Sequence, residues 1–243
     1  MQLRQALNSA VDRLEAALVG SPRMNAEVLL MFVLACDRAY LYAHPERELT
    51  AEESARYDEA LAERSTGKPS QYITGHQEFW GLDLVVTPAV LIPRPETEHV
   101  VETVLDLARG VKQPRMVDVG TGSGCIALAL AHELQQAEIR ACDISAEALE
   151  VARANAVRLE LAGRVHFFES DLLAALPAEP AFDFVVSNPP YVGESEPEKV
   201  QREVREFEPK VAVFAGEKGL EVYQRLIPQA RAVLKPGGWL VVE

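Results

Sequence analysis

Cationic surface is what this chain has least of: 24 lysines and arginines stand against 37 aspartates and glutamates in 243 residues, a formal charge of −13. The deficit runs through both parts, −5 over residues 1–88 (8 basic, 13 acidic) and −8 over the remainder (16 basic, 24 acidic). Neither part suits a protein that tracks nucleic-acid phosphates, so no direct nucleic-acid contact is expected. Cysteine is nearly as sparse. Cys36, Cys125 and Cys142 are scattered, odd in number and without zinc spacing, which argues against a disulfide framework and suits a reducing compartment. The five histidines are equally dispersed, and no metal site is expected. No apolar run nears the roughly eighteen residues that a membrane span needs, and no signal peptide is visible, so a soluble, cytoplasmic protein without membrane contact is expected. Repeats and low-complexity tracts are absent too. What remains, 48% hydrophobic and 25% charged, is ordinary globular composition with length enough for a large domain and a small one.

The first part reads as helices. Leu3, Ala6, Ala10, Val11, Leu14 and Leu18 recur at helical spacing, and Ser21-Pro22 offers a cap and a first-turn proline for a second helix through Leu29, Leu30, Val33 and Leu34. Thr50-Ala51-Glu52-Glu53 has the form of a capping box that opens a third helix running to Gly67. Residues 1–68 are therefore expected to be a small helical bundle. From Tyr72 to Val90 the pattern turns β-branched and aromatic, with Gly75 and Gly81 as punctuation, which predicts a β-hairpin linker over residues 69–92. Beyond Pro114, strands expected at 116–119, 139–142, 165–168, 182–186 and 239–242 alternate with helices near 126–134, 146–161 and 220–234. That alternation predicts an α/β domain with a parallel sheet over residues 93–243. The Glu-rich stretch 193–205 reads as a mobile loop.

Asn188-Pro189-Pro190-Tyr191 directly follows one of these strands. Two prolines fix φ near −65° and remove two backbone donors, so the loop can accept hydrogen bonds without a competing N–H. An amide or exocyclic amine offers two N–H groups. The Asn188 side-chain oxygen and the Pro189 carbonyl could take one each while the Tyr191 ring covers the flat face, which makes methyl transfer to such a nitrogen the leading hypothesis. Asn-Pro also ends strands as a plain turn, and the four residues alone do not decide between the two.

Asp118-Val119-Gly120-Thr121-Gly122-Ser123-Gly124 leaves the first parallel strand and enters a helix. Its alternating glycines allow close approach of an adenosyl or nucleotide group. The spacing fits neither the dinucleotide fingerprint nor a P-loop. Asp143, nineteen residues after Gly124 at the end of the second strand, could accept both hydroxyls of a ribose, although it and Ser145 compete for the cap of the next helix. Asp171 could accept from an adenine amino group, with Leu172 covering the ring. By topology all of these converge on the carboxyl edge of the sheet, where open α/β sheets bind ligands.

With both halves in view, the chain resembles the HemK/PrmC family of S-adenosylmethionine-dependent release factor glutamine methyltransferases. The residues that carry the likeness are Gly67-Lys68-Pro69, Tyr72-Ile73-Thr74-Gly75, Glu78-Phe79, Val90-Leu91-Ile92, Pro93-Arg94-Pro95-Glu96-Thr97-Glu98, Asp118 to Gly124, Asn188 to Tyr191 and Phe207-Glu208-Pro209. The resemblance implies a Rossmann-like class I methyltransferase domain that binds S-adenosyl-L-methionine and releases S-adenosyl-L-homocysteine. Gly120, Thr121, Gly122, Ser123, Gly124, Asp143, Asp171, Leu172 and Asn188 would hold the cofactor. Asn188, Pro189, Pro190 and Tyr191 would receive the glutamine of a Gly-Gly-Gln motif in class I peptide-chain release factors, with Asn188, Pro189 and Tyr191 carrying the transfer. The helical start would help grip the release factor. The family's fold closes with two further strands that the sequence to Glu243 does not supply, so an apolar edge is expected at 239–243, and a monomer if the fold is complete. A nucleic-acid amine methyltransferase and a non-catalytic S-adenosylmethionine-binding factor are the alternatives; the −13 charge opposes the first.

Overall fold

The computed structural model describes residues 1–195 and 200–243. Within them the chain divides into two compact units, Met1–Gly75 and His76–Glu243.

The first unit is helical: α1 (Leu3–Ala16), α2 (Pro22–Leu34), α3 (Arg38–Ala43), α4 (Ala51–Ser65) and α5 (Ser70–Thr74). The apolar stripes of α1, α2 and α4 meet in one core around Leu14, Leu29, Leu30 and Leu61, the arrangement that spacing at three and four residues dictates. The capping box forms as expected: the Glu53 N–H donates to Thr50 Oγ1 at 3.1 Å and the Thr50 N–H donates back to Glu53 Oε2 at 2.9 Å. Ser21 does not cap with its side chain. Asn25 ties down the entry to α2 in a different way, its Nδ2 donating to the carbonyls of Gly20 and Ser21. Tyr72, Ile73 and Thr74, expected at the start of the hairpin, lie in α5, which follows Pro69 and stops at Gly75 in the left-handed region.

The second unit opens with the antiparallel hairpin β1 (His76–Phe79) and β2 (Leu82–Val85). Phe79 and Leu84 are buried in this unit's main core, so the hairpin is a packed element and not a free tether. A 3₁₀ turn (Pro95–Thr97) leads into α6 (Glu98–Leu107). The chain then runs through β3 (Arg115–Val119), α7 (Cys125–Glu133), β4 (Glu138–Asp143), α8 (Ala146–Arg158), β5 (Val165–Glu169) and β6 (Phe182–Ser187). It continues with α9 (Arg202–Phe207), α10 (Lys210–Val213), α11 (Glu221–Val233) and β7 (Leu234–Val242). The five strands β3 to β7 form a wholly parallel sheet in the order β5-β4-β3-β6-β7. Part of the stretch read as a mobile loop is helix α9, braced by an Arg202–Glu206 pair one turn apart; residues 196–199 of it lie outside the described residues.

The order of strands places the site. The chain builds outward from β3 to β5 and then returns to lay β6 on the other side of β3, which makes β3/β6 the switch point where a crevice opens at the carboxyl edge. Val119 and Ser187 are register partners across that pair. Gly120 and Asn188 therefore leave the sheet side by side.

Candidate active site

A cavity of about 340 Å³ opens at this edge, lined by residues that all belong to the second unit, and its size falls within the usual range for small-molecule sites. Gly120 and Gly122, with φ of +70° and +55°, form part of its wall. A Cβ at either would meet no protein atom within 4 Å, so the space beside them is open to a ligand, and the left-handed backbone there disfavours any side chain. Gly124 differs: its missing Cβ makes room for Leu128 and Ala152, a packing role.

Ser145 takes the cap of α8, accepting from the Ala148 N–H at 3.1 Å. That settles the competition seen in the sequence and leaves Asp143 to the loop. Asp143 Oδ2 accepts from the Gly122 N–H at 2.9 Å and Oδ1 from the Ser145 N–H at 3.0 Å. A carboxylate offers about four acceptor directions, so capacity remains for a ribose hydroxyl. Burial pushes the Asp143 carboxyl above its ordinary range, and the backbone N–H groups of Ser145, Gly122 and Ile144 oppose that rise.

Asp118, at the end of β3, is fully buried. Its Oδ2 accepts from Thr121 Oγ1 at 2.6 Å, while its Oδ1 has no hydrogen-bond partner among the described residues. Burial raises its pKa to about 7. Ser123 Oγ is likewise buried without a partner. An unpaired buried polar group is costly, and of these two residues Ser123 is the one that lines the cavity.

Asp171 and Leu172 both line the cavity. The Asp171 carboxylate is held by the Arg225 guanidinium, so its acceptor capacity is shared with an ion pair that no local pattern foretells. Leu172 adopts φ of +54°, and its carbonyl accepts from the Cys142 thiol at 3.2 Å. Burial lifts that thiol to about 12, which keeps it protonated and able to donate.

On the other side of the cavity stand Asn188 and Pro190. Pro189, which is buried, and Tyr191, 54% exposed, are not among the lining residues. Asn188 Nδ2 donates to Thr97 Oγ1 at 3.0 Å, and no described protein group donates to Asn188 Oδ1 or to the Pro189 carbonyl. The loop is braced from below. Val192 donates to the Val213 carbonyl at 3.2 Å and accepts from the Ala215 N–H at 2.9 Å. A Cβ at Gly219 would lie 2.4 Å from the Tyr191 carbonyl, so that position excludes any side chain.

Two further residues build the site: Glu208, noted in the sequence only within the Phe207-Glu208-Pro209 likeness, and Asn155, not noted there at all. Glu208, almost wholly buried, accepts from the Ile92 N–H at 3.2 Å and from Arg94 at 2.6 Å, tying the segment before the 3₁₀ turn to the cavity wall. Asn155 of α8 holds both the N–H and the carbonyl of Val85 (2.7 and 3.0 Å) and donates to the Ser123 carbonyl at 2.9 Å. Contacts between residues 32 to 116 positions apart leave no periodic trace.

Comparison with known proteins agrees with this geometry. A family profile described as PrmC N-terminal domain matches residues 5–75, and one described as Methyltransferase small domain matches residues 97–206. A release factor glutamine methyltransferase of Koribacter versatilis is 59% identical over all of this chain and 86% of its own length; one of Moorella thermoacetica is 46% identical over all of this chain and 85% of its own. Among solved structures, the hMettl16 catalytic domain in complex with a MAT2A 3′UTR hairpin shares the fold at 20% identity, with a TM-score of 0.51 over 74% of this chain and 62% of that one. With its helical first unit, its parallel methyltransferase sheet and relatives this similar along its whole length, the chain belongs to the release factor glutamine methyltransferase family.

Proposed function

We propose that this protein transfers a methyl group from S-adenosyl-L-methionine to the side-chain amide nitrogen of the glutamine in the Gly-Gly-Gln motif of class I peptide-chain release factors. The observation that carries the reading is the acceptor-only face at the β3/β6 switch point. Asn188 Oδ1 and the Pro189 carbonyl have no described protein donor and sit one strand from the glycine-rich wall.

The residues present fit the cofactor. Gly120 and Gly122 leave open space where a Cβ would stand, Asp143 keeps acceptor capacity for ribose hydroxyls, and the orphaned Asp118 Oδ1 lies behind the same loop. When bound, S-adenosyl-L-methionine supplies an electrophilic methyl group on a sulfonium sulfur.

The chemical difficulty lies in the acceptor. A carboxamide nitrogen shares its lone pair with its carbonyl, a delocalisation that shows in the amide rotation barrier of roughly 18–20 kcal/mol. No histidine, lysine or cysteine lies in the Asn188 loop, so the work falls to positioning. Asn188 Oδ1 and the Pro189 carbonyl would each take one N–H and orient the nitrogen toward the methyl group; the new N–C bond would replace the S–C bond, the thioether would leave as S-adenosyl-L-homocysteine, and the nitrogen would give up one proton to solvent. An in-line near-attack geometry of this kind recovers up to roughly 7–11 kcal/mol of a barrier. The two acceptors also stabilise positive charge as it grows on nitrogen, so they bind the transition state more strongly than the ground state.

Transfer of labelled methyl from S-adenosyl-L-methionine to purified release factor, with ribosomal protein, DNA and RNA as controls, tests the reading. Label on the release factor glutamine alone is expected; label confined to nucleic acid would overturn it.

A further inference from the structure

An asparagine side chain has nearly the same shape at either end, so hydrogen bonds alone decide which end faces a ligand. In this protein the deciding group is Thr97, 2% exposed at the end of the 3₁₀ turn. Thr97 Oγ1 lies 2.5 Å from Glu243 Oε2 and 3.0 Å from Asn188 Nδ2. A hydroxyl has one proton and a carboxylate has none to give, so the Thr97 proton is committed to Glu243. Thr97 therefore presents only lone pairs to Asn188, which can meet them only with its N–H end. Turned over, Asn188 would set Oδ1 against the Thr97 lone pairs. Glu243 is itself pinned: its N–H donates to the Ser187 carbonyl at 3.2 Å, and its carbonyl accepts from the Tyr223 hydroxyl at 2.5 Å.

We propose that Thr97, polarised by Glu243, is the positioning residue that keeps Asn188 Oδ1 toward the substrate, and that this relay makes the site select a carboxamide over a carboxylate. The inference rests on the reading of Asn188 as the acceptor for the substrate amide. Glutamine and glutamate match in size, so steric fit cannot separate them, and hydrogen-bond polarity must. With Oδ1 forward, the site accepts from –NH₂ and repels a carboxylate. With the amide turned over, the polarity reverses.

The test uses the full chain carrying Thr97→Val, which keeps shape and loses the hydroxyl, and Thr97→Ser, which keeps the hydroxyl. Three quantities are read: methyl-transfer kcat, affinity for S-adenosyl-L-homocysteine, and, in its presence, affinity for a release factor bearing glutamine or glutamate at the target position. Thr97→Val is expected to lower kcat at least about tenfold, to shift relative affinity toward the glutamate form by at least about tenfold, and to leave cofactor affinity within about twofold. Thr97→Ser restores both. A Thr97→Val protein that loses turnover while its glutamine-to-glutamate preference stays as in the parent overturns the relay, as does one that keeps both. Lack of transfer by the parent protein would instead count against the proposed reaction, and the binding preference would still judge the relay.

Discussion

Asp118 is a single side chain that burial places under a heavy electrostatic penalty. Burial moves its pKa from the ordinary 3.8 to about 7, so between those values the folded protein holds a proton that the unfolded chain has released. A raised carboxyl of this kind makes stability fall as pH climbs through the window and level off above the folded pKa, with a limiting slope of about 1.4 kcal/mol per pH unit. Asp118→Asn removes the titration. Thermal unfolding of the ligand-free proteins from pH 5 to pH 8 should show the variant gaining on the parent up to about pH 7 and no further. A gap that stays constant across the range would mean that Asp118 is ionised throughout. At this scale the glycines, Asp143 and Asn188 were legible because each sits at a strand end, and strand ends follow from local pattern. The pairing of Asp171 with Arg225 was not legible, since the two residues lie 54 positions apart.

Among the elements, the hairpin and α8 are joined by an exposed Arg158–Asp83 ion pair and, in the interior, by Asn155. Asn155, fully buried, satisfies both polar groups of Val85 and the Ser123 carbonyl of the glycine-rich loop. Asn155→Ala leaves all three backbone groups without partners, at roughly 1–3 kcal/mol each. Denaturant unfolding should report a loss of about 3 kcal/mol or more, accompanied by weaker cofactor binding as Ser123 loosens. Full stability loss with unchanged cofactor affinity would show that the clamp stops short of the loop. The long elements were legible: each expected strand of the parallel sheet lies within an observed one, α1 and α2 follow their periodic stripes, α4 follows its capping box, and α7, α8 and α11 fall where the strand–helix alternation put them. Short helices were not. α3, α5, α9 and α10 have four to six residues, too few to display a helical period, and they exist because neighbouring segments hold them.

For the whole molecule, the separation into two units with their own cores divides stability from ligand binding. Leu30 lies at the centre of the first unit's core, while every residue that lines the cavity belongs to the second. Leu30→Ala should destabilise the protein by roughly 2–5 kcal/mol, seen as a lower unfolding midpoint, and leave S-adenosyl-L-methionine affinity within about twofold at temperatures where the fold persists. A proportional loss of affinity would show that the cavity depends on the helical unit. Among the described residues no helix is long and apolar enough to cross a membrane, and the acidic balance of the sequence holds through both units. On the proposed reading, the acceptor pair at the sheet's switch point is what directs methyl transfer to an amide, and turnover by Asn188→Ala tests it most directly. The account predicts a fall in kcat of about 10²–10³-fold with S-adenosyl-L-methionine affinity nearly unchanged. Turnover close to that of the parent, at full cofactor saturation, would contradict it.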